Sequence, residues 1–70
     1  MLKVFEVGYR YKNNTSLRVE NVVVRSEDLA FDKILERDYR EADAIGIGDT
    51  IVKSDYEFIY SKLLIRELVV

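Results

Sequence analysis

Residues 2–25, LKVFEVGYRYKNNTSLRVENVVVR, form the stretch whose reading decides the fold. Phe5, Val7, Tyr9 and Tyr11 alternate with Val4, Glu6, Gly8, Arg10 and Lys12, the period of two that a strand imposes on its side chains. After the polar residues 12–16, Leu17, Val19, Asn21 and Val23 alternate in the same way with Arg18, Glu20, Val22 and Val24. The pattern predicts a β-hairpin. Its register matters, because a slip of one residue turns every side chain to the other face. A two-residue turn at Asn13-Asn14 would set Tyr9 opposite Arg18 and Val7 opposite Glu20, mixing apolar with charged. An odd loop pairs Tyr11 with Leu17, Tyr9 with Val19 and Phe5 with Val23, giving an apolar face broken only by Asn21, and is the expectation on hydrophobic pattern. The second face then carries Val4, Val22 and Val24 near the chain start and Arg10, Lys12 and Arg18 near the tip.

Beyond the hairpin, Ser26 suits an N-cap, and Glu27 and Asp28 suit the positive end of a helix dipole. Phe31, Ile34, Leu35, Tyr39 and Ala42 recur at spacings of three and four, with Leu29 and Ala30 beside them, which predicts a helix over 27–41. A 14-residue helix spans roughly 21 Å against roughly 33 Å for a ten-residue strand, so the hairpin tip should overhang. In 44–70, Gly46 and Gly48 break the helix, Thr50 to Lys53 is strand-like, and 53–55 is a polar turn. YEFIYS and LLIRELVV then read as two strands with a corner at Ser61-Lys62, or as one continuous strand. A helical reading of 55–65 stays open, since Ser54 to Glu57 matches a capping box and Tyr56, Ile59, Tyr60, Leu63 and Leu64 have helical spacing. The β-branched and aromatic residues favour strands. The expected architecture is a single α+β domain over 1–70, β-β-α-β-β with a possible fifth strand, its helix packed on one face of an antiparallel sheet of four to five strands.

Composition narrows the functions. Seventy residues with 49% apolar content can hold one core, near the lower limit for a domain that folds alone. The absence of cysteine and histidine removes disulfides, thiolate chemistry and the commonest general base and zinc ligand. No apolar run approaches the length of a bilayer span, and the first residues show no signal-peptide pattern. A cytoplasmic protein is therefore expected. Residues 1–26 hold five basic and two acidic side chains, a sum of +3; residues 27–57 hold four basic and ten acidic, a sum of −6.

No catalytic, cofactor or metal motif emerges, and a non-enzymatic role is expected. Gly46-Ile47-Gly48 lacks both the third glycine of a dinucleotide fingerprint and the Gly-Lys-Ser/Thr ending of a P-loop. The acids Asp38, Glu41, Asp43, Asp49 and Asp55 match no calcium-loop spacing and read as solvated. The most suggestive group is Tyr9, Arg10, Tyr11, Lys12 and Arg18 at the tip. Tyrosine and arginine are typical protein-binding anchors, and such a cluster could also hold nucleic acid, the weaker alternative with only three cations. Val4, Val22, Val24 and Leu68 are candidates for self-association, making a homodimer the expected state. In general style, being very short, free of Cys and His, and rich in Tyr, Lys, Glu and Asp, the chain resembles small accessory proteins of bacteriophages and mobile elements. That resemblance implies binding to a host protein. The reading reached from sequence is a small protein-binding module, with a nucleic-acid-binding hairpin or a structural homo-oligomer as alternatives.

Overall fold

β1 (Leu2–Tyr11) is the middle strand of a three-stranded antiparallel sheet, flanked by β2 (Arg18–Val24) and β3 (Tyr56–Leu68) in the order β2-β1-β3. The protein's structure is a computed structural model describing residues 1–69. Between β2 and β3 lie α1 (Ala30–Asp43) and short 3-10 turns at Glu27–Leu29, Gly48–Thr50 and Lys53–Asp55. The order is thus β-β-α-β. The α+β class is as expected, but the sheet has three strands among the described residues rather than four or five.

Two local causes account for the missing strands. The helix closes with Gly46 N–H bonded to the Asp43 carbonyl and Ile47 N–H to the Ala42 carbonyl, at 3.0 Å each. This Schellman-type closure needs a left-handed residue, and Gly46, at φ +80°, supplies it. The chain then turns again at Gly48–Thr50, so Thr50 to Lys53 does not become a strand. Further on, Ser61-Lys62 makes no corner. Instead, β3 runs straight through for 13 residues, pairing from Tyr11↔Tyr56 to Leu2↔Leu68. Irregularities between Gly8 and Tyr9 and between Leu2 and Phe5 let the longer β3 follow the twisted β1. The helical alternative for 55–65 is excluded, because this segment has the whole of β1 as its hydrogen-bonding partner.

The hairpin register also differs from the expectation. Tyr9 faces Arg18, Val7 faces Glu20, Phe5 faces Val22 and Lys3 faces Val24. The odd-loop register would have put Asn21 into the core beneath the helix, an amide to be satisfied among valines. In the observed register Asn21 lies opposite Glu6 on the far face, and Val22 and Val24 enter the core. The charges this brings to the helix side are neutralised there, as described below. The tip, residues 12–17, is closed by Asn14 N–H on the Tyr11 carbonyl (2.9 Å) and Ser16 N–H on Asn14 Oδ1 (2.8 Å).

α1 starts at Ala30, after the 3-10 turn, and ends at Asp43; Ser26 makes no side-chain cap bond. Ala30, Ile34, Asp38 and Ala42, four residues apart, are its buried positions. They lie over a core of Phe5, Val7, Tyr9, Val22, Val24 and Tyr56, with Phe31 stacked on Phe58 at 4.2 Å between ring centroids. Full burial of each large apolar side chain contributes about 1.5–3 kcal/mol. Only one face of the sheet receives the helix.

Candidate functional site

The structure disperses the five tip candidates. Tyr9 has no exposed surface and belongs to the core. Tyr11 is half-buried, and its ring meets that of Tyr56 edge-on at 5.2 Å. Arg10 is on the other face, paired with Glu57 through Nε–Oε2 at 2.8 Å and Nη2–Oε1 at 3.0 Å. Arg18 lies over the Tyr11 ring, 4.9 Å from its centroid, and Lys12 is exposed on the loop. Arg10 lies on the second face, as the alternation in 2–11 predicts, whereas the observed register brings Arg18 to the face of Tyr9 and Tyr11, and Tyr9 is taken into the core. The self-association set divides likewise. Val22 and Val24 are covered by the helix and unavailable to a second copy; Val4 and Leu68 lie on the face without a helix, where Val4 is largely shielded between Val23 and Ile65.

What the fold assembles is a chain of polar side chains on the helix side of the sheet. Tyr9 donates its hydroxyl hydrogen to Glu20 Oε2 at 2.8 Å, while Arg37 Nη2 donates to the Tyr9 oxygen at 3.2 Å. Arg37 Nη1 pairs with Glu20 Oε1 at 2.5 Å. The same guanidinium reaches Asp38 Oδ1 through Nη2 (2.8 Å) and Nε (3.1 Å). The other Asp38 oxygen accepts hydrogen bonds from Tyr56 (2.5 Å) and Tyr11 (3.2 Å). Asp38 therefore accepts four hydrogen bonds, the full capacity of a carboxylate. Among the described residues, no buried side-chain nitrogen or oxygen lacks a partner.

The electrostatics follow from this arrangement. Burial works to raise the Asp38 pKa, but the hydrogen bonds from Tyr56 and Arg37 and the charge of Arg37 outweigh it and hold the carboxyl below its usual value. Burial pushes the Tyr9 hydroxyl up to about 12, with Glu20 adding to the effect and Arg37 opposing it. Burial and the neighbouring Asp38 raise Tyr56 and Tyr11 in the same direction. Arg37 is held more firmly protonated by Glu20 and Asp38 against the cost of burial. The cluster thus joins neutral tyrosines, a firmly ionised Asp38 and a firmly protonated Arg37 into a brace between helix and sheet.

Asp38 is the residue that sequence reasoning missed. By pattern it belongs with the solvated acids Glu41, Asp43, Asp49 and Asp55, yet it is buried under the helix. The signal was present: Asp38 lies four residues from both Ile34 and Ala42, in the middle of the apolar stripe. Among the described residues, no three acidic side chains gather closely enough to hold a metal.

The opposite face of the sheet differs in kind. Its rungs, read across the register, are Leu2–Leu68, Val23–Val4–Ile65, Asn21–Glu6–Lys62, Val19–Gly8–Tyr60 and Arg10–Glu57. No helix covers it, and Val19, Val23 and Ile65 are each over 40% exposed. Tyr60 lies across Gly8, where a Cβ would stand 2.1 Å from the ring, and donates its hydroxyl hydrogen to Glu6 Oε2 at 3.1 Å.

Comparison with known proteins adds no relative. The chain matches no family model, no curated protein and no solved structure. Among the described residues, no helix is long and apolar enough to cross a membrane.

Proposed function

We propose that the protein is a small non-enzymatic protein-binding module that works as a homodimer, joined through the open face of its sheet. The observation that carries this reading is an uncovered apolar face whose charges cancel within it. Val19, Val23, Ile65, Leu2 and Leu68 supply the apolar surface around Val4; Glu6 and Arg10 on β1 are matched by Lys62 and Glu57 on β3. A face of zero net charge can meet its own copy without repulsion, as the two-fold symmetry of an isologous interface requires.

The dimensions permit it. The molecule is a slab with extents of 36 × 26 × 16 Å, so its broad side sets an upper limit of roughly 900 Å² on the area a second copy could cover, against the ~800 Å² per partner of a standard interface. A second copy would also close the core that a chain this short leaves half-built. The helix side and the hairpin tip would then point outward, toward another protein, in keeping with the accessory-protein style of the sequence. A nucleic-acid role is less well supported, because Arg10 is already paired with Glu57 and Arg18 is held over Tyr11.

Sedimentation equilibrium tests the assembly. The native chain should show twice its 8.2 kDa mass, and Val23→Glu or Ile65→Glu should yield a folded monomer by circular dichroism. A native monomer at high micromolar concentration would overturn the reading.

A further inference from the structure

On the helix side, at the end of α1 nearest the hairpin tip, a cavity of about 340 Å³ lies open to solvent. Three kinds of side chain line it. Ala42, Ile45 and Ile51 make aliphatic walls, Tyr11 and Tyr56 set two rings at 64° to one another, and Asp38 and Glu41 contribute carboxylates. We infer that this cavity receives a lysine or arginine side chain of a partner protein, an inference that rests on the protein-binding reading above.

Charge, shape and chemistry agree on that occupant. None of the lining residues is basic, and most of them come from the segment 27–57, whose charges sum to −6. The cavity adjoins the C-terminal turn of α1, the negative pole of the helix dipole, where a cation is favoured. The protein's own nearby cations are engaged: Arg37 by Glu20 and Asp38, Arg40 by Glu36, and Arg18 by the ring of Tyr11. Asp38 has its lone pairs occupied internally and its charge balanced by Arg37, so the attraction falls to Glu41, which is exposed at the rim and free in geometry to accept a hydrogen bond from the incoming cation.

The tyrosine rings add the attraction of their π faces for a cation. Arg18 over Tyr11 is a case of that attraction within the chain itself. Ile45 is 74% exposed and offers aliphatic surface to the methylene stem of a basic residue, which long cationic side chains bury readily. The volume falls at the small end of ligand pockets, roughly 300–1,000 Å³. A single long side chain fits better than a cofactor.

The test is a nuclear magnetic resonance titration of the full chain with n-butylammonium and n-butylguanidinium, and with n-butanol as an uncharged control. Saturable shifts at Tyr11, Glu41, Ala42, Ile51 and Tyr56, stronger for the cations and weakened by salt, are the expected result. Glu41→Gln should weaken cation binding by up to about fivefold, the scale of an exposed charge contact, while leaving the fold and the butanol response unchanged. Equal response to butanol would overturn the inference in favour of a merely apolar pocket. Absence of saturable shifts would overturn it outright. Sedimentation of the same samples keeps the two readings apart, since a dimer that ignores the cations sinks only the pocket, and a monomer sinks only the interface.

Discussion

The two faces of one sheet resolve the same problem, apolar residues interleaved with charges, in opposite ways. On the helix side, Asp38 is drawn inward and saturated by Tyr11, Tyr56 and Arg37, and the half-buried Glu20 is paired with Tyr9 and Arg37, so the apolar residues around them are closed off from water. On the open side, Glu6, Arg10, Glu57 and Lys62 stay at the surface and balance one another, and the valines of β2 between them remain exposed. Burial in this protein is thus decided by whether polar groups can be fully partnered, more than by apolar content. A saturated carboxylate can sit in a core, whereas an unpartnered one costs several kcal/mol.

Asp38→Ala strikes hardest at this contrast. It leaves Arg37 half-paired and two tyrosine hydroxyls without an acceptor, and should destabilise the fold by about 3 kcal/mol in urea unfolding, at about 1–3 kcal/mol for each orphaned buried group. A cost below about 1 kcal/mol, the scale of an ordinary substitution, would mean the brace is ornamental. Next comes a matched pair on neighbouring residues. Val22→Ala, beneath the helix, should cost about 2 kcal/mol of monomer stability, while Val23→Ala should cost under about 0.5 kcal/mol and weaken the dimer instead. Equal effects on stability would erase the distinction between the faces.

Alkaline pH probes mainly the helix side, where three tyrosines are raised, although Tyr60 on the open face is raised as well by desolvation and by Glu6. Tyr9 is held up to about 12 and Tyr11 and Tyr56 also lie above 10.0 in the fold, so the unfolded chain loses those protons first as pH passes about 10. Stability that is complete below about pH 10 should therefore drain away up to about pH 12, by an amount on the order of 2 kcal/mol for Tyr9. At the other extreme, the depressed Asp38 contributes above about pH 4 and its share is lost as pH falls through the folded value. Thermal melts across both ranges check the sign, and a Tyr9→Phe variant should flatten the alkaline limb. A last, modest effect belongs to the open side. Gly8→Ala drives a methyl group into Tyr60, which is partly exposed and can swing away, so the cost should be about 1 kcal/mol, seen in chemical unfolding together with loss of the Tyr60–Glu6 bond.

Much of this architecture was legible from the chain alone. The alternation in 2–11 and 18–24 produces two strands, the spacing of Ile34, Leu35 and Ala42 produces one helix, and Gly46 ends it in a left-handed residue. Each of these depends on neighbours within a turn or two of backbone, and local sterics and periodicity suffice to specify them.

Tertiary structure alone decided the hairpin register, the run of β3 along the whole of β1, and the burial of Asp38. Counting apolar residues favours the odd-loop register, because it scores Glu20 and Arg18 as surface groups. The partner of Glu20, Arg37 on the helix, cannot be assigned from the hairpin sequence itself, and the Tyr11 ring receives Arg18 only in the observed register. Residues 56–68 are ambiguous between helix and strand for the same reason, since a strand is stabilised by the edge it pairs with, here some 50 residues away. The physical division is between terms that a few consecutive residues settle and terms that exist only once distant donors and acceptors meet. The candidate site consists almost entirely of the second kind.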